Sequence, residues 1–501
     1  MGYLLGIDIG TSFLKSVLIE EEGNEVFTDS KSYNFSIPKK GYVDHDPEEW
    51  WEACKDTIAS IFKHVRIDKS EIRGISFAGQ MHGLVALDKN HQVIRPAILH
   101  NDARSSNQVE EIKRILGIRR IKELVGNPIY TGFLLPSLLW IRENEPAKYE
   151  KIRYVMLPKD YIKFKLTGEI SSDFSDASAT LLFDIRNSRW SEEILTRMDV
   201  DREILPQCYE TSQAIGIVSR TAALDTGLAA GTVVVAGGGD QVMQCIGNGA
   251  IEIGDACVNI GTSGQVSFQC DKPVMNPSLN TNTFCGYKAG QWFTMGAIMS
   301  AGMSYKWFNN LFERYDYDAL NEKIAGIKPG SGGLLFLPYL NGERTPHLNP
   351  NISGAFVGLN INTSREEMSR AVMEGVTYAL NQCIEVCRDL GLTKDILIAS
   401  GGAARSRPWL QIQADVFNLP VKISRTREQA GLGAAIAAGH GAGTYRNIAE
   451  GCARHVKFEE EIIEPNAANH EVYREYYHLF KDMYQESRTV IEKITLLGRQ
   501  G

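Results

Sequence analysis

The 501-residue chain has no P-loop sequence, the Gly, four residues, Gly-Lys-Ser/Thr run that cradles a triphosphate. It has no Gly-x-Gly-x-x-Gly run either, which leaves a dinucleotide fold unsupported. Basic residues are not in excess. The 53 Lys and Arg stand against 61 Asp and Glu, a net charge of −8, which argues against nucleic acid or an anionic membrane as the main partner. No apolar run approaches the roughly 18 residues of a membrane span. No secretory leader is expected, because Asp8 interrupts the one early apolar run and no basic segment precedes it. Cys-x-x-Cys is absent and the nine cysteines are an odd number. Cys383 and Cys387 lie four apart in a helical pattern and read as core thiols, so the expected setting is a reducing cytoplasm.

What is present points to two globular domains of about 250 residues each. The division expected is 1–248 and 249–501. Hydrophobic content is 43% and charged content 23%, and 46 glycines cluster at strand ends. The most informative of these ends is Val233-Val234-Val235-Ala236-Gly237-Gly238-Gly239-Asp240. An unalternating β-branched run predicts a strand covered on both faces. Three glycines then clear side chains from its end, so that a ligand could approach the backbone, and one acid follows. Open α/β sheets place ligand chemistry at such carboxyl ends. The plainer alternative is a glycine turn whose Asp caps the next helix.

Leu4 to Ile9 and Phe13 to Ile19 predict a hairpin around Gly10-Thr11-Ser12, whose small residues would let N–H groups and hydroxyls face phosphate. Asp8 points into that turn and could hold a hydrated Mg²⁺, although an ordinary hairpin with a turn Asp reads equally well. Asp46-Pro47-Glu48-Glu49 opens a helix to about Val65. Ile72 to Ala78 is a strand ending in Gly79-Gln80-Met81-His82-Gly83, and Leu99-His100-Asn101-Asp102 offers an amide and an acid after another. Ser105 to about Trp190 is helical and reads as an insertion shaping a cleft wall. Ile260-Gly261-Thr262-Ser263 then repeats Ile9-Gly10-Thr11-Ser12 at an offset of 251 residues, Gly261 against Gly10. Ile396 to Ser400, ending in Gly401-Gly402-Ala403-Ala404-Arg405, echoes the Ile72 strand. Two copies of one domain are therefore expected. Leu337 to Pro346 is an irregular loop with adjacent Glu343 and Arg344, read as an ion pair. Ser364-Arg365-Glu366-Glu367 is a capping box opening a helix buried along Met368, Val372, Val376, Ala379, Cys383 and Cys387. Ala430 to Gly439 is a small-residue helix suited to a neighbouring backbone or a flat ring. The tail from His470 to Ile494 reads as a solvated amphipathic helix.

Two opposed glycine hairpins and a strand-end Asp resemble the actin-like, ribonuclease H-like ATPases. Within them the chain resembles the FGGY carbohydrate kinases, and most of all their xylulokinase branch. The likeness covers nearly the whole chain. It rests on Gly6-Ile7-Asp8-Ile9-Gly10-Thr11-Ser12, Gly79-Gln80-Met81-His82-Gly83, Leu157-Pro158-Lys159-Asp160-Tyr161, Gly237-Gly238-Gly239-Asp240, Leu337 to Pro346 and Gly401-Gly402-Ala403-Ala404-Arg405. The C-terminal signature is met from Gly354-Ala355-Phe356-Val357-Gly358-Leu359 through Glu367-Met368 to Ala371-Val372-Met373-Glu374. The fold implied is α/β, with two actin-like domains around a nucleotide and sugar cleft. The activity implied is ATP-dependent phosphorylation of a ketopentose, D-xylulose first, with another ketose or polyol, or a non-catalytic sugar-sensing ATPase, as alternatives.

Asp240 then resembles the catalytic base, Met81 and His82 the sugar-contact pair, and Asp8 the Mg²⁺-associated acid, with Asp240 beside the ion through water. Gly261 and Thr262 match the second phosphate turn, opposite Gly10, Thr11 and Ser12. Gly401, Gly402 and Arg405 match the adenosine side, with Trp307 a weaker match. Asn101, Asp102 and Gln241 complete the polar set expected around the sugar. Three positions depart from the xylulokinase pattern: His100 replaces Trp, Gln241 replaces Asn, and Ser137 replaces Lys. The expected partners are ATP, Mg²⁺ and a small sugar, with neither nucleic acid nor membrane, and a homodimer as the assembly considered.

Overall fold

Leu4, Leu5, Ile7 and Ile9 are fully buried, so the first strand has no solvent face and must be covered on both sides. In the computed structural model, which describes residues 2–312 and 317–498, that strand is the centre of a mixed sheet. The sheet comprises β1 (Tyr3–Ile9), β2 (Phe13–Glu20), β3 (Glu25–Ser32), β4 (Ile72–Gly79), β5 (Ala214–Ile217) and β6 (Val233–Val235), in the order β5-β6-β4-β1-β2-β3, with the short strand Gly238–Gly239 also paired to β4. β1, β2 and β3 are antiparallel neighbours, while β4 runs parallel to both β1 and β6.

The second sheet holds β7 (Ala256–Ile260), β8 (Gly264–Cys270), β9 (Asn282–Cys285), β10 (Trp292–Ile298), β11 (Leu397–Gly401), β12 (Val421–Ser424) and β13 (Phe458–Ile463). Its order is β9-β10-β8-β7-β11-β12-β13. β7 pairs antiparallel with β8 and parallel with β11, as β1 does with β2 and β4. The repeat read from four residues is thus a repeat of topology, and the two glycine-ended strands β4 and β11 are equivalent. Each sheet also carries an antiparallel outer strand, β5 on β6 and β13 on β12. These are two copies of a ribonuclease H-like sheet.

The small-residue helix Gln429–Gly441 meets backbone at Gly431 and Gly433, and at Gly439 it meets the Tyr445 ring. A Cβ on Gly6 of β1 would sit 2.0 Å from Gly431 O, and one on Gly433 would sit 2.0 Å from Met243 O. A helix of the second half therefore packs between β1 of the first sheet and helix Asp240–Gly247. Backbone cannot step aside as a flexible side chain can. Gly433→Ala is expected to cost roughly 1–3 kcal/mol, read as a lowered thermal midpoint. An unchanged midpoint would place this helix elsewhere.

The C-terminal helix, Ala467–Gly498, differs from the solvated face expected of it. Tyr473, Tyr477, Phe480 and Tyr484 are buried, and Tyr473 Oη donates to Glu374 Oε1 at 2.9 Å while accepting from Arg370 Nη2 at 2.7 Å. Aromatic residues spaced three or four apart give one apolar stripe, with polar tips at the tyrosines, which a charge count alone hides. Asp46 caps the helix Pro47–His64, and Ser364 and Glu367 close the capping box of Arg365–Asp389. Cys383 and Cys387 are buried core thiols, and no helix among the described residues is long and apolar enough to cross a membrane.

Candidate active site

The site is assembled where β1, β4 and β6 end. Gly10 N–H donates to Phe13 O at 3.0 Å and closes the first hairpin. Gly10 O accepts from Tyr33 Oη at 2.6 Å and Gln80 Nε2 at 3.1 Å, and Gln80 N–H reaches Ile9 O at 2.9 Å. The turn is clamped through its carbonyls. Among the described residues no protein acceptor takes the N–H groups of Thr11 and Ser12, which is what an anion cradle requires. The second turn is built alike. Gly261 N–H donates to Ser263 O at 3.0 Å, while Gly261 O and Thr262 O accept from Gly302 N, Ala301 N and Met303 N at 2.9–3.1 Å. Those donors open the helix Gly302–Asn310, which carries Trp307, 38% exposed and stacked on Phe336. At the end of β11, Gly401 has φ +82°, and Gly402 and Arg405 lie exposed beside it.

Asp240 starts the helix Asp240–Gly247 as its first residue, but its side chain does not cap that helix. The backbone and side chain of Gln241 lie beside the carboxyl and favour its charged form. Burial pushes its pKa up to about 7, and the neighbouring Asp8 adds to the rise against Gln241. Asp8 is itself pushed up to about 6 by burial, which Lys15 opposes and Glu428 reinforces. Two acids 232 positions apart in the chain are thus brought within electrostatic reach, and the charge of Asp8 resists ionisation of Asp240.

The triple glycine serves protein packing, not an approaching ligand. A Cβ on Gly237 would meet Phe77 O at 2.5 Å, on Gly238 Val242 Cγ1 at 2.6 Å, and on Gly239 Met81 Cγ at 2.9 Å. The room expected for a substrate is filled by β4, by the following helix and by Met81, which in turn brings Met81 against the residue before Asp240.

His82 takes the left-handed conformation at φ +77°. Its Nδ1 lies 2.8 Å from Ala179 O, and a carbonyl can only accept, so Nδ1 carries the proton and Nε2 presents a lone pair. The ring stacks on Phe133 at 3.9 Å, and burial holds its pKa down at about 3, so it stays neutral. His100 is likewise held down at about 4 by burial, with Arg344 contributing.

Two expectations, one for a sugar contact and one for an ion pair, need correction. Asp102 is buried and engaged elsewhere. Its Oδ2 accepts from Val43 N–H at 2.6 Å and Arg104 Nε at 2.8 Å, and its Oδ1 accepts from Arg104 N–H at 2.8 Å. Arg104 is bridged onward to Asp44 in the same buried pair, so Asp102 leaves the sugar set while the exposed Asn101 stays available. Nor does Glu343 pair with Arg344. Glu343 is buried, with Oε1 accepting from Met299 N at 2.9 Å and Arg344 N at 2.7 Å, and burial raises its pKa to about 8. Arg344 turns away, 5.8 Å from the Tyr130 ring, and its charge is felt at both His82 and His100. No cation beside His82 is legible in the sequence. Arg344 reaches it from a loop 262 residues further on, to which no local pattern links it.

Comparison with known proteins agrees with this geometry. Residues 3–247 match the N-terminal domain of the FGGY family of carbohydrate kinases, and residues 256–442 match its C-terminal domain. A xylulose kinase of Staphylococcus epidermidis is 37% identical over 486 residues, 97% of either chain. The structure of a "xyloylose kinase" from Brucella ovis superposes with a TM-score of 0.91 at 32% identity, covering 97% of this chain and 100% of that one. A gluconate kinase from Lactobacillus acidophilus gives the same TM-score at 25% identity, over 98% of this chain and 99% of that one, so fold alone does not choose the sugar. With both domains matched in order and the paired acids, twin glycine turns and His82 in place, the chain belongs to the FGGY family of carbohydrate kinases.

Proposed function

We propose that the protein transfers the γ-phosphoryl group of ATP to a terminal hydroxyl of a ketopentose, converting D-xylulose to D-xylulose 5-phosphate. The observation that carries this reading is the pair Asp240 and Asp8 beside Met81 and a neutral, oriented His82. Residues of 1–248 hold the sugar and one phosphate turn, and residues of 249–501 hold the rest of the nucleotide. Asp240 accepts the hydroxyl proton as the phosphoryl group passes over. In so loose a transition state, proton removal comes late and positioning dominates. An ordinary carboxylate would suffice, and one held at about 7 is a stronger acceptor at neutral pH. Gln241 fixes the carboxyl, Met81 lies along the carbon chain, His82 Nε2 accepts a sugar hydroxyl, and Asn101 adds an amide. The free N–H groups of the two turns face the phosphates, with Trp307, Gly401, Gly402 and Arg405 on the adenosine side.

The donor set fits Mg²⁺. Two hard carboxylates lie near one another at the ends of strands of one sheet, and among the described residues no cage of three or more His, Cys, Asp or Glu side chains would favour a softer metal. Bound there with the phosphates, Mg²⁺ would supply charge neutralisation. Asp8 would hold it through water. Asp8→Asn is expected to raise the Mg²⁺ concentration for half-maximal turnover by roughly tenfold and to lower turnover, with sugar affinity nearly unchanged. Mg²⁺ dependence identical to wild type would leave Asp8 a turn residue.

Relatives named xylulose kinase, among them that of Lactococcus lactis at 36% identity over the full chain, support the choice of sugar. A second reading, a sugar acid such as gluconate as acceptor, is favoured by Arg344. ADP release over ketopentoses, pentitols, glycerol and gluconate decides between them. D-xylulose is expected to give the highest kcat/KM, and glycerol or gluconate ahead of every ketopentose would overturn the assignment. ADP release unaffected by any of these acceptors would instead favour a sensor or a mechanical ATPase. The reading places the enzyme in the cytoplasm and allows a homodimer, which sedimentation of the purified chain decides.

A further inference from the structure

Behind the catalytic strand end lies a group of five charges that phosphoryl transfer does not use. Lys159, Asp160 and Lys163 come from the helix Pro158–Thr167, and Asp173 and Asp176 from the start of Phe174–Ser178. All five side chains have zero exposure. Lys159 Nζ lies 2.6 Å from Asp160 Oδ1, 2.7 Å from Asp173 Oδ1 and 3.0 Å from Asp176 Oδ2, and Lys163 Nζ lies 2.9 Å from Asp160 Oδ1. Apolar residues of the same volume would often stabilise a fold as well or better, so such a cluster is weak support for stability and calls for another role.

Its outward contacts lead to the site. Lys163 Nζ donates to Ala236 O at 3.0 Å, just before the triple glycine. Ser175 Oγ donates to Asp173 and accepts Gly239 N–H at 2.9 Å, one residue before Asp240. Asp176 Oδ1 would lie 3.2 Å from a Cβ on Gly239, and Lys159 Cβ 2.6 Å from one on Gly79. Just past the same helix, Ala179 O takes the proton of His82 Nδ1 at 2.8 Å. One rigid segment, Asp173 to Ala179, therefore touches both the backbone that carries Asp240 and the ring that faces the sugar.

We propose that this buried cluster sets the distance between Asp240 and His82, with Ser175 as the positioning residue through which it acts on the strand end. The proposal rests on the kinase reading. Two ammonium groups face three carboxyls, and Asp176 is the farthest of the three from Lys159. Burial drives its pKa well above the carboxylate range, with Asp173 and Asp160 adding to this against Lys159. Asp160 goes the other way, because both lysines outweigh its burial.

The test compares Ser175→Ala, Asp173→Asn and Asp176→Asn, using whichever acceptor the wild type phosphorylates best, so that a change of sugar leaves it intact. Ser175→Ala removes one oxygen. It is expected to lower kcat by roughly 30-fold, to leave KM for ATP within about twofold, and to raise the share of ATP lost to water. A merely structural loss would lower the amount of active enzyme and leave that share unchanged. Asp176→Asn keeps the shape of a neutral acid and is expected to lose at least tenfold less kcat than Asp173→Asn, or to fold where Asp173→Asn does not. Ser175→Ala within twofold of wild type in kcat, with no added water loss, would overturn the positioning role. Equal damage from the two Asp→Asn changes would overturn the charge assignment. A wild type that phosphorylates none of the acceptors would refute the kinase reading itself, and the cluster proposal with it.

Discussion

Asp240→Asn is expected to lower phosphoryl transfer by roughly 10³-fold or more while the sugar still binds. General-base catalysis contributes about 10²–10⁴, and here the base also faces a second acid that keeps its proton affinity high. Asn preserves the shape and can still meet Gln241, so the helix Asp240–Gly247 keeps its start. A sugar-binding measurement should stay within about threefold of wild type, which separates the loss of a base from the loss of a pocket. The variant should not be less stable at neutral pH. The folded-state pKa of Asp240 lies above its unfolded value, so its ionisation costs folding free energy that grows as pH rises from the unfolded pKa towards about 7. Removing the charge removes that cost. Turnover within tenfold of wild type would take Asp240 out of the base role, and a lowered midpoint at pH 8 would contradict the electrostatics.

The second large effect is at His82. His82→Ala is expected to lower kcat/KM for D-xylulose by at least ~100-fold, because a site built to pair a hydroxyl loses discrimination of that order or more when the partner is gone. The argument is geometric. Ala179 O fixes the proton on Nδ1, Phe133 fixes the ring plane, and Nε2 is left as the acceptor. Removal leaves a sugar hydroxyl unpaired in a dry site. Since burial holds the ring neutral down to about pH 3, kcat/KM should show no histidine ionisation from His82 between pH 5 and 8. A break near pH 6.5 that disappears in His82→Ala would refute the neutral ring, and a silent His82→Ala would refute the sugar contact.

Much of the site was legible because its parts are local. Gly10-Thr11-Ser12 and Gly261-Thr262-Ser263 declare turns from their own composition, and both formed hairpins. Asp8, Met81 and His82, and Asp240 each follow or end a strand, where a parallel sheet gathers its ligands. Reading went astray where adjacency in sequence stood in for adjacency in space. Asp102 follows Asn101, yet a one-residue step inward gave it to Arg104. Glu343 and Arg344 are neighbours of opposite charge, yet one turned to backbone amides and the other towards the sugar side. The glycines after Val235 do mark a crowded place, but strand, helix and Met81 do the crowding.

Sequence by itself determined the two-fold repeat, the family, the hairpins, the helix caps and the identity of the two acids. Each of these is written in residues within a few positions of one another or in a whole-chain pattern. Tertiary structure alone decided that Asp8 raises Asp240, that His82 is neutral with its proton on Nδ1, that Arg344 acts on His82 and His100, and that Lys159 with its partners stands behind Asp240. The reason is that protonation, tautomer and desolvation depend on what surrounds a group in three dimensions. In this fold those surroundings come from distant segments, such as Glu428 beside Asp8 from near the other end of the chain.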